Sequence, residues 1–221
     1  IPLIPVNHIH GHIYAYTQEG VSLAYPALAL IVSGGHTDLI HIKEEGHFKR
    51  CGKTRDDAAG EAFDKVARYL SLGYPGGPII EKLARKGNPK AFSLPIPMKH
   101  VPFEFSFSGL KTAMIDCVNS LENPEAHIHD LCASFQDAVI RTLTYKTLEA
   151  AMQLKVKNII VAGGVAANQC FIQAFQDACL AKNITTICVQ KSLCTDNAAM
   201  IGLAATHLGN IMEKKFYIKD K

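Results

Sequence analysis

No apolar run in this chain approaches the roughly 18 residues that a bilayer-spanning helix needs, so no membrane segment is expected. The start, Ile1-Pro2-Leu3-Ile4-Pro5-Val6, has neither an initiator Met nor the basic stretch that opens a secretory signal. That predicts a chain trimmed at its N-terminus and carrying no targeting peptide. The seven cysteines (Cys51, Cys117, Cys132, Cys170, Cys179, Cys188 and Cys194) contain no C-x-x-C pair. Such an odd set argues against a disulfide framework or a cysteine zinc site, and fits the reducing cytosol of a cytoplasmic protein. There is no internal repeat of solenoid period. Charge of either sign is not concentrated: 23 basic and 20 acidic side chains leave a net +3, which permits a nucleic-acid partner without demanding one. The small basic clusters, Lys49-Arg50 with Lys53 and Arg55, then Lys82, Arg85, Lys86 and Lys90, read first as solvated surface. What is present is a globular composition, 48% apolar and 19% charged over 221 residues, enough for one large domain or two small lobes.

Leu28-Ala29-Leu30-Ile31-Val32 is an apolar run entering a Gly-Gly turn, and Leu39 to Ile42 alternates behind it, which predicts a buried strand and its hairpin partner. Residues 57–72 carry apolar side chains at helical spacing before Gly73, and a shorter helix is expected over 79–86 after the Pro75-Gly76-Gly77-Pro78 break. A proline-rich connector, 94–102, follows. Helical spacing returns over 108–121 and 128–154. The C-terminal third then reads strand 158–162, Gly163-Gly164, helix from about 166 to 181, strand 184–189, and helix 197–208. Strand, glycine turn, helix, strand is a parallel α/β unit, with ligands at the carboxyl ends of its strands. Met212 to Lys221 is expected to be a polar tail.

His8 and His12, at i and i+4, face one side of a helix, where two imidazoles can converge on one metal ion. With ten histidines in the chain such a pair arises readily by chance. Position 9 is Ile rather than Glu, so the H-E-x-x-H protease arrangement lacks its general base. Asp196 could add an oxygen ligand, giving a two-nitrogen, one-oxygen set suited to ferrous iron or catalytic zinc. Ser33-Gly34-Gly35 lets backbone approach a ligand closely and offers amides to phosphate. Gly163-Gly164-Val165-Ala166-Ala167-Asn168 is a second such turn opening a helix, whose N-terminus favours anions. Asp64 and Glu81 could accept hydrogen bonds from ribose hydroxyls, although each alone reads more simply as a solvated helix residue.

Taken in order, Asn7-His8-Ile9-His10-Gly11-His12, Val32-Ser33-Gly34-Gly35-His36-Thr37, Asp56 through Lys65, Tyr74-Pro75-Gly76-Gly77-Pro78, Phe105 through Thr112, Gly163 through Asn168 and Thr195 through Ile201 span nearly the whole chain. They resemble the universal tRNA threonylcarbamoyladenosine transferases, the bacterial catalytic subunit and its archaeal and eukaryotic counterparts. The resemblance implies an α/β chain with the two-lobed, ribonuclease H-like fold of the actin, Hsp70 and sugar-kinase ATPases. It implies transfer of a threonylcarbamoyl group from threonylcarbamoyl-AMP to the exocyclic amine of the adenosine 3′ of the anticodon, in tRNAs reading ANN codons. By motif match His8, His12 and Asp196 would hold one divalent metal ion, iron or zinc. Ile31, Val32, Ser33, Gly34, Gly35, Asp64, Gly77, Glu81 and Asn168 would line the adenylate site, with ATP or ADP as further occupants. No catalytic residue separate from the metal site is implied.

In that family an N-terminal portion with a first phosphate hairpin precedes the histidine motif. The resemblance therefore places 1–26 at the end of the first lobe, 27–195 in the second lobe with a helical insertion, and 196–221 in the helix returning to the first. It implies that this stretch by itself transfers little, and that its partners are tRNA and the subunits of a transfer complex, including a related scaffold paralogue. Two other readings stand beside it. A phosphotransferase or ATPase of the same superfamily would explain the glycine turns but leave His8, His12 and Asp196 without a role. A non-catalytic scaffold would have no need of all three.

Overall fold

The chain has an all-buried strand at its centre, β1 (Ala27–Val32), as its unbroken apolar sequence requires of a strand covered on both faces. The computed structural model describes residues 3–217. After the turn at 33–36 the chain returns as β2 (Thr37–Ile42), antiparallel to β1 with Val32 opposite Thr37. β3 (Phe48–Thr54) continues the meander antiparallel to β2, with a register shift between Leu39 and Ile40. A two-residue β4 (Glu104–Phe105) lies parallel to β3 at one edge. On the other side of β1 come β5 (Asn158–Ala162) and β6 (Thr185–Cys188), both parallel, giving the order β4-β3-β2-β1-β5-β6. β1 and β5 thus end side by side, at the edge where α/β sheets hold their ligands.

Helices α2 (Ala59–Tyr69), α3 (Gly76–Ala84), α4 (Ser108–Asn119) and α5 (Ile128–Leu154) pack on one another. The 27-residue α5 buries Leu131, Phe135, Ala138, Leu143 and Ala150, and its Phe135 meets Phe63 of α2 edge to face at 5.4 Å between ring centres. α1 (His8–Tyr14) packs on α8 (Ala198–Tyr217) and reaches β1 and β5. α6 (Gln169–Leu180) and the single-turn α7 (Lys191–Cys194) complete the C-terminal unit. Among the described residues no helix is long and apolar enough to cross a membrane.

Two elements were not legible in the sequence. In β3 most side chains are exposed or half-exposed, so it has no apolar alternation to announce it, and β4 is held by only two residue pairs. The expected polar tail needs correction. α8 runs on to Tyr217, because Glu213, Lys214 and Lys215 are good helix formers that extend a helix already nucleated, while residues 218–221 lie outside the described residues. The helix expected from about 166 begins at Gln169, since 164–167 form a tight 3-10 turn.

One core residue was also hidden from pattern reading. Lys146 is fully buried in α5, and its ammonium donates to the carbonyls of Met98 (2.6 Å), Lys99 (3.4 Å) and Val101, which fastens the proline-rich connector to the helix. Burial lowers its pKa. Asp56 does similar work on the next segment, accepting from Ser106 Oγ (2.6 Å), Phe107 N (2.8 Å) and Ser108 N. Burial opposes its ionisation, but these hydrogen bonds prevail and hold the carboxyl below its ordinary range.

Candidate metal and nucleotide site

Asn7 caps α1, its Oδ1 accepting from Ile9 N at 2.9 Å, so the helix begins at His8 and carries His12 one turn later on the same face. At the other end of the chain Asn197 caps α8 by accepting from Met200 N at 2.9 Å, which fixes Asp196 just ahead of that helix. The two helices approach closely at Gly11, where an added Cβ would meet Ile201 Cδ1 at 3.0 Å. That contact delivers Asp196 to the histidines: its Oδ1 lies 3.3 Å from His8 Nε2 and 3.1 Å from His12 Nε2. The three ligand atoms all fall within 4.8 Å of one another.

The two contacts made by Asp196 are of the length that a shared metal ion would set. Two donors each about 2.1 Å from an ion at a near-tetrahedral angle stand about 3.4 Å apart. His12 is buried, its Nδ1 has no hydrogen-bond partner, and its pKa is lowered first by burial and then by His8, with Asp196 working in the opposite sense. The imidazole is therefore neutral at pH 7, the form that ligates. His8 and Asp196 are solvent-accessible, leaving the site open to substrate on one side.

The two glycine turns share a cavity lining with His8 and Asp196. In the first, Ser33 Oγ accepts from the amides of Gly35 (3.3 Å) and His36 (3.1 Å), and Gly60 N donates to Ser33 O at 3.1 Å, so Ser33 braces the turn against the start of α2. In the second, Gly163 adopts φ +97°, and a Cβ there would stand 2.4 Å from Val32 O. Only glycine lets the end of β5 press this closely on the end of β1. Gly34 and Gly164 then line two adjoining cavities. One, of about 220 Å³, is bounded by Gly60, Phe63, Asp64, Gly77, Glu81, Asn168 and Lys191 among others, and the other by His8, Ser33, Gly35, His36 and Asp196.

Five of the residues expected at the adenylate site, Gly34, Asp64, Gly77, Glu81 and Asn168, line the first cavity, and Ser33 and Gly35 line the second. Ile31 and Val32 line neither; both are fully buried in β1 and support the turn from beneath. Several of these side chains are also structural. Asp64 Oδ1 accepts from Gly76 N at 2.7 Å, and Glu81 Oε1 from Gln169 N at 3.1 Å and Arg85 at 3.2 Å. His36, with its ring centre 6.2 Å from that of His8, and Lys191 enter the site without having been singled out. The signal for His36 was its place directly after the first glycine turn; Lys191 had none.

Asn168 is the most committed of the set. Its Oδ1 caps α6 through Phe171 N (2.9 Å), and its Nδ2 donates to the buried Gln136 Oε1 (2.8 Å). Asn168→Ala is expected to lower stability by about 1–2 kcal/mol, through the lost cap and the stranded Gln136 oxygen. Urea unfolding measures it, and an unchanged midpoint would show that neither bond contributes.

A family model described as TsaD, tRNA N6-adenosine threonylcarbamoyltransferase, matches residues 1–203. The chain is 49% identical over 213 residues to the tRNA N6-adenosine threonylcarbamoyltransferase of Crocosphaera subtropica, covering 92% of this chain and 62% of that protein. It is 47% identical over 206 residues to the protein of the same name from Endomicrobium trichonymphae, covering 92% of this chain and 60% of the relative. The chain thus spans about three fifths of the length of the curated relatives it matches. Among solved structures, T. kodakarensis HypF superposes with a TM-score of 0.72 at 15% identity, over 98% of this chain and 38% of that one. An activator of 2-hydroxyisocaproyl-CoA dehydratase from Clostridium difficile, with bound ADPNP, gives 0.55 at 14% identity, over 96% of this chain and 69% of that one. These likenesses show the fold, a mixed α/β architecture of the actin-like ATPase type.

Proposed function

Because the chain belongs to the tRNA N6-adenosine threonylcarbamoyltransferase family, we propose that it carries the metal and adenylate sites of that transfer. The reaction moves a threonylcarbamoyl group from threonylcarbamoyl-AMP to the exocyclic amine of the adenosine 3′ of the anticodon in tRNAs reading ANN codons. The observation that carries this reading is the sharing of Gly34 and Gly164 between the carboxylate-lined cavity and the cavity of the triad. A nucleotide seated against Asp64 and Glu81 would point its phosphate at these glycines and its acyl group at His8, His12 and Asp196.

Each residue then has a task. Asp64 and Glu81 retain carboxylate oxygens able to accept from ribose hydroxyls, and the backbone at Gly34 and Gly164 admits the phosphate closely. His8, His12 and Asp196 would hold a divalent ion, iron or zinc, which when bound supplies a Lewis acid and a template for the carbamoyl end. A bond forms from the amine nitrogen to the carbamoyl carbon, the bond from that carbon to the phosphate oxygen breaks, AMP leaves as a weakly basic anion, and the proton lost by the amine passes to solvent or to the departing phosphate. The step therefore depends on orientation more than on a protein acid. A phosphotransferase reading leaves the triad without a task. The family reading also implies tRNA and the other subunits of a transfer complex as partners, including a related scaffold paralogue, in the cytoplasm, with ATP or ADP as alternative occupants of the cavity.

The test is transfer of labelled threonine to tRNA by the whole protein together with its partner subunits. Asp196→Ala is expected to abolish incorporation while leaving the unfolding free energy within about 1 kcal/mol of wild type, since the side chain is largely exposed. Incorporation at the wild-type rate would refute the assignment.

A further inference from the structure

Among the described residues, Lys191 is the one cation lining the nucleotide cavity. It stands just past the carboxyl end of β6, where Val189 N donates to Val161 O at 3.1 Å and Gln190 leads into α7, and α7 packs on the turn 164–167. The fold thus sets this lysine on the same wall as Gly164, across from the carboxylates of α2 and α3. Its electrostatic situation differs from theirs. Asp64 is engaged by the amide of Gly76, and Glu81 by Gln169 N and Arg85, whereas among the described residues no carboxylate lies within ion-pair distance of Lys191 and nothing accepts a hydrogen bond from its ammonium.

We propose that Lys191 is a further binding residue, supplying the positive charge that meets the phosphate of the bound nucleotide. This rests on the adenylate reading of the cavity given above. The physical case is one of charge balance. The two acids suit a neutral, hydroxyl-rich ribose but repel an anion, and in the first glycine turn Ser33 Oγ occupies the amides of Gly35 and His36. A positive charge at the phosphate end therefore favours an anionic ligand, and a lysine in no ion pair among the described residues can provide it without first breaking one. Because the ammonium is solvent-exposed, its pull should be modest and screened by salt.

Calorimetric titration of the whole protein with adenosine, AMP and ADP, for wild type, Lys191→Met and Lys191→Arg, tests this. Lys191→Met is expected to weaken AMP and ADP by about three- to tenfold at low salt, a loss that shrinks as salt rises, while adenosine binding stays within about twofold. Lys191→Arg should restore most of the loss. AMP carries phosphate but no threonine carboxylate, so its weakening assigns the contact to phosphate. If adenosine weakens as much as AMP, or AMP does not weaken at all, the Lys191 proposal is overturned while the cavity assignment stands. If wild type binds none of the three, the cavity assignment itself falls, and the proposal with it.

Discussion

His12→Ala is expected to remove the metal that the proposed triad would hold and to lower threonylcarbamoyl transfer by the whole protein on the order of 100-fold or more, a loss of the same order as that expected of Asp196→Ala. His12 is buried beneath the site with its Nε2 facing Asp196, and among the described residues the one group of three or more metal-competent side chains is His8, His12 and Asp196. His10→Ala supplies the contrast. It lies on the same helix, but its ring packs at a tilt against Phe48, 4.2 Å between centres, and its loss should leave metal content unchanged. Elemental analysis of the purified variants decides between them, and equal metal in both would show that the triad is not the binding site. Acidity gives a second handle. A proton and a metal ion compete for the same imidazole lone pair, and burial together with His8 lowers the His12 pKa. The metal should consequently persist to lower pH than an ordinary histidine would allow, and be released as pH falls through the lowered value.

Gly163→Ala is the substitution expected to harm the fold most. The residue sits at φ +97°, and its added Cβ would lie 2.4 Å from Val32 O and 2.7 Å from Val32 C, with no flexible side chain to give way. Both the strained backbone and the clash fall where β5 meets β1, so relief requires separating two central strands. A cost of about 3 kcal/mol or more is expected. The next glycine is the control: a Cβ on Gly164 would come no closer than 4.0 Å to Thr195 Cγ2, and Gly164→Ala should cost about 1 kcal/mol or less. Urea unfolding of the pair measures the difference, and indistinguishable midpoints would mean that the strand ends are not so tightly joined.

Elements defined by their own residues were readable from the chain. β1 declares itself by five consecutive apolar residues before a glycine pair, and α5 by helical spacing sustained over 27 residues. β3 does not, because pairing with β2 and a short β4 stabilises a polar strand whose side chains mostly face solvent. Lys146 was unreadable for the complementary reason: its burial depends on three carbonyls contributed from residues 98–101. Within the site, the metal set was proposed from spacing and motif, with His8 and His12 one turn apart and Asp196 in its Thr-Asp-Asn context.

The sequence by itself determined the chemistry on offer: which residues can ligate, which turns need glycine, and which segments must be buried. Those properties are local, since an imidazole, a positive φ or an apolar strand is specified by the residue and its immediate neighbours. Only the tertiary structure decided that Asp196 lies 3.1 Å from His12 across 184 positions of chain, because that distance is set by the packing of α1 on α8. It likewise decided that Ile31 and Val32 support the turn from below, that Asn168 is held by Gln136 and Phe171, and that Lys191 lines the same cavity as Asp64 and Glu81. Such facts depend on contacts between segments remote in sequence, and side-chain direction at those contacts follows from how helices and strands meet.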